Sequence, residues 1–191
     1  MKKINDKIIV ITGPSGAGKT TLANHLLEQD LPISFPVSYT TRPKRESEVE
    51  GKDFYFTDKE RFKEMVSKNE FFEWKEVYTN LFYGHSYDEI KSIHDAGITP
   101  LLVINVDAAV DLEDLSNDAV LTIMIQGDDL EDLRRRLEER GEKKENIEER
   151  MKTAEEELGY EDKFDFVIEN KYGEVEKAKQ EIEKIVIDFL N

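Results

Sequence analysis

The run Gly13-Pro14-Ser15-Gly16-Ala17-Gly18-Lys19-Thr20 carries the residue types of a phosphate cradle at the spacing G-x-x-x-x-G-K-[ST]. Glycines let the backbone curl until successive N–H groups point inward at phosphate oxygens. A helix beginning near Lys19 adds the positive end of its dipole. The Lys19 ammonium can bridge the terminal phosphates, and the Thr20 hydroxyl can ligate Mg²⁺. A glycine-rich strand-to-helix turn with no ligand is the plainer alternative. The β-branched run before the loop and the helical pattern after it supply the context the motif requires. The expected nucleoside triphosphate contacts are therefore Gly13, Ser15, Gly16, Ala17, Gly18, Lys19, Thr20 and Thr21.

A second group of cations follows in Ser38-Tyr39-Thr40-Thr41-Arg42-Pro43-Lys44-Arg45. Two guanidiniums three apart in a loop can clamp one phosphate from two sides, which suits a second anionic substrate. An exposed basic turn explains the same residues equally well when they are taken alone.

These groups need elements to hold them. Ile8–Thr12 reads as a strand buried on both faces, as do residues 35–39, 101–106, 120–125 and 166–168. Helical spacing follows in 20–27, 87–96, 130–139 and 175–190, the last with an apolar stripe of Val175, Ala178, Ile182, Ile185 and Phe189. Strands alternating with helices predict an α/β fold, a parallel sheet with helices on both faces. Two stretches break the alternation. Residues 40–86 hold aromatics, charges, strand-like pieces at 53–56 and 71–77 and a helix at 59–67, which reads as a small inserted subdomain. Residues 128–157 are almost wholly charged with Gly141 in the middle, a solvated helical hairpin.

The inserted stretch decides between classes of triphosphate-binding protein. Gly51-Lys52-Asp53-Phe54-Tyr55-Phe56, Asn69-Glu70-Phe71-Phe72-Glu73-Trp74 and Phe82-Tyr83-Gly84 resemble the nucleoside-monophosphate subdomain of guanylate kinases. With the phosphate loop in front and Arg136-Leu137-Glu138-Glu139-Arg140-Gly141 behind, the resemblance runs in order through nearly the whole chain. It implies the reaction ATP + GMP ⇌ ADP + GDP with Mg²⁺, by in-line transfer. It also implies a P-loop NTPase core (1–39, 87–127 and 158–191), a monophosphate-binding insert (40–86) and a helical lid (128–157). Residue by residue, Ser38, Arg42, Arg45 and Tyr83 match the positions that hold the acceptor's phosphate, and Glu73 the carboxylate that reads guanine. A carboxylate accepts from both N1–H and the 2-amino group of guanine, and adenine offers neither donor there. Arg136, Arg140 and Arg150 match arginines that close over the triphosphate, Asn170 a residue near the adenine, and Asp107 the second acid of an acid-x-Asp pattern. Arg134 and Arg135 match no lid position and read as solvated charges. The attacking phosphate is already ionised at neutral pH, so catalysis rests on positioning, electrostatics and exclusion of water.

The sequence also departs from that pattern. Phe54 stands in place of a Tyr, His85 in place of a Ser or Thr beside the base, Asn105 in place of the first acid, and Ser47 in place of a Gly. The stretch from 74 to 83 is one residue longer than usual. Four of these five surround the acceptor pocket. That keeps open a kinase with another acceptor; a guanylate-kinase-like protein-binding module is a third reading, opposed by the intact loop.

Composition bounds the rest. With 27 Lys and Arg against 43 Asp and Glu, the 191-residue chain carries a formal charge of −16, unsuited to a general nucleic-acid binder. Cys is absent, which removes thiol nucleophiles and Cys-based zinc sites. No apolar run approaches the roughly 18–20 residues of a membrane span. The expectation is a cytoplasmic protein whose partners are nucleotides, a monomer or weak homodimer.

Overall fold

The structure is a computed structural model that describes residues 6–76, 81–113 and 119–191. Its contacts divide the chain into two compact units, one of residues 1–33 with 101–191 and one of residues 34–100. The second unit carries the stretch 40–86 and extends on both sides of it, into 34–39 and 87–100.

In the first unit β1 (Ile8–Thr12) is buried at every residue. It lies at the centre of a five-stranded sheet with order β2 (Ile33–Ser34), β7 (Thr99–Val103), β1, β8 (Val120–Gln126), β9 (Phe166–Glu169). β1 runs parallel to β7 and β8, and β8 parallel to β9. Parallel strands need crossovers, and the crossovers supply the helices that cover the sheet. α1 (Lys19–Leu27) and α7 (Val175–Leu190) bury Leu22, Leu26, Ala178, Ile182 and Val186 in the same core as Ile9, Ile123 and Ile168. Val175, Ile185 and Phe189 of the expected stripe pack at its edge. The Lys7 ammonium donates to the carbonyls of Phe189 (2.7 Å) and Leu190 (3.0 Å) at the end of α7, where a cation also meets the negative pole of the helix.

The charged hairpin folds as α5 (Leu130–Glu139) and α6 (Lys144–Leu158). Asp129 caps α5 by accepting from the Asp132 N–H at 2.8 Å, a contact worth about 1 kcal/mol. The hairpin is not simply solvated: Leu133, Leu137, Ile147, Met151 and Ala154 join the main core. Arg134 ties the two helices together through Glu148 at 2.6 Å. Arg135 lies with its guanidinium 3.4 Å from the Tyr172 ring centroid and pairs with Asp132, so neither arginine is a free surface charge.

The second unit is a four-stranded sheet of order β4 (Tyr55–Phe56), β3 (Tyr39–Thr40), β6 (Phe82–Ser86), β5 (Phe71–Glu76), with α2 (Lys59–Ser67) and α3 (Tyr87–Asp95). One sheet face packs on Phe62 and Met65 of α2, with Phe62 stacked on Phe71 at 4.4 Å. A register shift between Phe71 and Glu73 interrupts the β5–β6 ladder. A bulge of this kind lets two successive residues both turn inward, and Phe71 and Phe72 are both buried. Beyond it, Glu73 pairs across the ladder with His85 and Lys75 with Tyr83. Gly84 permits the crossing, because a Cβ there would lie 2.8 Å from the Trp74 Cβ.

Two strand expectations shift. Residues 35–39 do not form one strand: Pro36 lacks an N–H, and the chain pairs instead as β2 in one sheet and β3 in the other. The strand expected at 101–106 runs at Thr99–Val103, and Val106 already opens α4 (Val106–Glu113). Val77 and the rest of the extra-residue stretch through 80 lie outside the described residues. Among the described residues no helix is long and apolar enough to cross a membrane.

Candidate active site

The loop after β1 takes its path from three glycines in left-handed backbone conformations, Gly13 (φ 132°), Gly16 (φ 91°) and Gly18 (φ 97°). At Gly13 a Cβ would collide with the Ile125 carbonyl of β8, and at Gly18 with the Asn170 amide. Gly141 has φ 74° with open space around it. Gly13→Ala is therefore expected to cost well over the roughly 1–2 kcal/mol of left-handed strain that Gly141→Ala incurs, read as the difference between their thermal midpoints. Equal midpoints would mean that loop and strand are not packed as described.

Gly18 caps α1 with no side-chain acceptor and no acid in the first turn, so the N–H groups and positive dipole of the helix stay available to an anion. Thr20 and Thr21 are exposed on that turn, and Ala17 is fully buried. The Lys19 ammonium folds back onto the carbonyls of Gly13 (2.6 Å) and Pro14 (2.9 Å). Burial pushes it from 10.5 down to about 8; Glu157 opposes the shift, while Arg140 and Arg150 add to it. A cation capping the end of α5 and one on α6 thus act on the loop lysine. Arg150 also donates to the Ser15 hydroxyl at 2.7 Å and is held by Glu142 at 3.0 Å.

Arg136 pairs with Asp132 at 2.7 Å and donates to the Asn170 carbonyl at 2.5 Å. The Asn170 amide nitrogen donates to the Ala17 carbonyl at 2.7 Å, which fastens the end of β9 to the loop. Two buried polar atoms here have no partner among the described residues, the Arg136 Nε donor and the Asn170 Oδ1 acceptor. They border a cavity of about 300 Å³ lined also by Gly18, Thr21, Arg140 and Tyr172. Tyr172, which sequence reading passed over, donates to Glu139 at 2.9 Å and carries Arg135 on its ring. An aromatic just past a strand end was its only signal.

The second unit gathers the other set. Ser38, placed before β3, meets His85 Nε2 through its Oγ at 2.7 Å, and His85 Nδ1 meets Glu73 Oε1 at 2.6 Å. The side chains of His85 and Glu73 are 13% and 11% exposed, so Glu73 is not an ordinary surface strand residue. Arg42 is fixed by Glu48 at 2.5 Å and by the Pro43 carbonyl at 2.8 Å. Its hydrogen bond to Glu48, with one to Tyr83, holds the guanidinium above its ordinary range. Phe54 and Phe56 lie under it, with centroids at 5.4 and 5.8 Å. Glu48 also accepts from the Arg45 N–H at 2.7 Å, leaving the Arg45 side chain exposed. Asp107 lies in the first turn of α4 in the other unit, exposed.

A family model described as guanylate kinase matches residues 5–188. The chain belongs to the guanylate kinase family. It is 36% identical over 185 residues to the guanylate kinase of Bacteroides fragilis, covering 96% of this chain and 90% of that one. With the Anaplasma phagocytophilum guanylate kinase it shares 39% over 181 residues, 94% and 85% of the two chains. The crystal structure of guanylate kinase from Anaplasma phagocytophilum superposes with a TM-score of 0.72 at 34% identity, over 98% of this chain and 88% of that one.

In this member of the guanylate kinase family the Phe54 ring lies under Arg42, and His85 meets the carboxylate Glu73. Asn105 carries a buried Nδ2 with no partner among the described residues. Nothing in the structure explains Ser47.

Proposed function

We infer that this protein transfers the terminal phosphoryl group of ATP to GMP, giving ADP and GDP. Glu73 carries the choice of acceptor: a carboxylate held mostly out of water on β5, on the sheet face that also presents His85 and Tyr83. A carboxylate so placed favours the N1–H and 2-amino donors of guanine and meets a lone pair on adenine. Ser38, Arg42, Arg45 and Tyr83 take the monophosphate's phosphate, and Asp107 belongs to the acceptor side. Gly13 to Thr21 cradle the triphosphate of ATP. The unpartnered Arg136 Nε and Asn170 Oδ1 offer the donor nucleotide one donor and one acceptor.

Among the described residues no cluster of three acids or histidines could hold a metal. The exposed Thr20 hydroxyl in the first turn of α1 is the group that would hold a Mg²⁺, an ion that takes few protein ligands and keeps several waters. Bound there, the ion would supply charge neutralisation to the triphosphate. Arg136, Arg140 and Arg150, brought over the loop by α5 and α6, stabilise charge that develops on the group in flight and exclude water from it.

A coupled assay with ATP and GMP, dGMP, AMP, UMP and CMP tests the reading. GMP should exceed AMP in kcat/KM by up to roughly 10⁴, as sites built around such hydrogen-bond pairs achieve. Glu73→Gln, which replaces one acceptor oxygen by a donor, should shrink that ratio by about tenfold or more. A pyrimidine or AMP as best acceptor, or an unchanged ratio in the variant, removes the guanine assignment.

A further inference from the structure

Three side chains in the second unit form an unbroken hydrogen-bonded chain: Glu73 Oε1 to His85 Nδ1 at 2.6 Å, and His85 Nε2 to Ser38 Oγ at 2.7 Å. The ends come from different elements, β5 and the segment before β3, and the register of β5 with β6 sets Glu73 across from His85. Proton counting in this chain has a consequence. An ionised carboxylate only accepts, so Nδ1 carries a hydrogen. In a neutral ring Nε2 then has only a lone pair, and Ser38 must point its single hydroxyl proton at it. A dianionic phosphate also only accepts. Ser38 cannot donate one proton to both.

We propose that docking of a nucleoside monophosphate's phosphate on Ser38 drives uptake of one proton by His85, so that the imidazolium links the phosphate end of the acceptor site to Glu73. The proton comes from solvent and adds to the Nε2 lone pair. The Ser38 hydroxyl rotates from His85 to the phosphate oxygen and accepts from Nε2–H in return. No covalent bond between heavy atoms changes. The bound order is phosphate oxygen, Ser38 hydroxyl, imidazolium, Glu73 carboxylate, with a cation between two anions. This inference rests on the reading of Ser38 as a phosphate ligand.

Other charges around the ring are accounted for by element. On its own strand Tyr83 lies two residues away on the same face, and on β5 Lys75 pairs across from Tyr83. Arg42, beside Tyr83, is bound to Glu48. From α3, Asp88 and Glu89 act on Tyr39, and Glu89 accepts from the Tyr55 hydroxyl at 3.1 Å. Glu73 is the carboxylate in direct contact with the ring.

Calorimetric titration of the whole protein with GMP, without ATP, reads the proton directly. Binding enthalpy is measured from pH 7.5 to 8.5 in buffers of differing protonation enthalpy, where GMP itself is already dianionic. Wild type should take up a proton, approaching about one per GMP toward the lower end of that window, and its affinity should fall as pH rises. Guanosine should take up none. His85→Gln and His85→Ser should bind GMP without uptake; Lys19 is present in both, so uptake there would persist and overturn the proposal. Ser38→Ala separates the two ideas. If it narrows the affinity gap between GMP and guanosine while wild type shows no uptake, the phosphate reading stands and the proton coupling is wrong. If it leaves that gap unchanged, the phosphate reading fails and the coupling with it. Should both His85 variants fail to fold, equal uptake with GMP and guanosine in wild type overturns the proposal, and uptake with GMP alone supports it.

Discussion

Lys19→Ala should lower kcat by about 10²–10³-fold or more, the scale on which loss of one fixed donor to developing charge is felt, while the protein stays folded. The ammonium donates to the Gly13 and Pro14 carbonyls and Lys19 is not part of the hydrophobic core, so its removal opens no core cavity. Its burial makes it a burden on the fold. Its ordinary value of 10.5 falls to about 8, so between those values the unfolded chain binds more protons than the native one. Stability therefore rises with pH across that interval. Lys19→Met should be more stable than wild type at pH 7, by something on the order of 2 kcal/mol, and the gain should fade as pH climbs from 8 toward 10.5. Steady-state kinetics and thermal melts at three pH values check both halves. Near-normal turnover in either variant would remove Lys19 from the chemistry.

How far the sequence foretold this arrangement depends on whether local chemistry or long-range packing decides each feature. The phosphate loop is local: its glycine spacing already demands left-handed turns, and all three occur. The helix expected near 59–67 forms at Lys59–Ser67, where Asp58 caps it by accepting from the Arg61 N–H at 2.7 Å. Residues 35–39 have the strand-like Phe35, Val37 and Tyr39, but Pro36 among them has no hydrogen to give a ladder. The charged hairpin differs for another reason. Its acids and arginines hide Leu133, Leu137 and Met151, whose burial depends on the sheet beneath them. The orientation of Glu73 was out of reach. In a regular strand it would share a face with Phe71; a bulge separates the two, and Phe71 stacks on Phe62 of α2. Glu48 was readable in principle, since a carboxylate three residues after Arg45 can cap that turn.

Removal of the paired arginines should have the other large effect. Arg42→Ala with Arg45→Ala should raise the KM for the acceptor and lower kcat, by about 10²-fold or more together, because a misplaced attacking oxygen hurts the transition state most. The single variants should differ in kind. Arg45 contributes its backbone N–H to Glu48 and leaves its side chain in solvent, so Arg45→Ala keeps the loop and removes one cation. Arg42 is the piece on which Glu48, Tyr83, Phe54 and Phe56 converge. Its loss removes a cation and also leaves the Glu48 carboxylate without the guanidinium that pairs with it, so Arg42→Ala should be the worse of the two. Arg42→Lys should recover little, since a point charge cannot hold Glu48 and still present a planar fork to a phosphate. Affinity for ATP without acceptor should be unchanged in all three variants. If ATP binding falls in step with acceptor use, these arginines serve no separate acceptor site, and the division of labour between the two units of the chain must be redrawn.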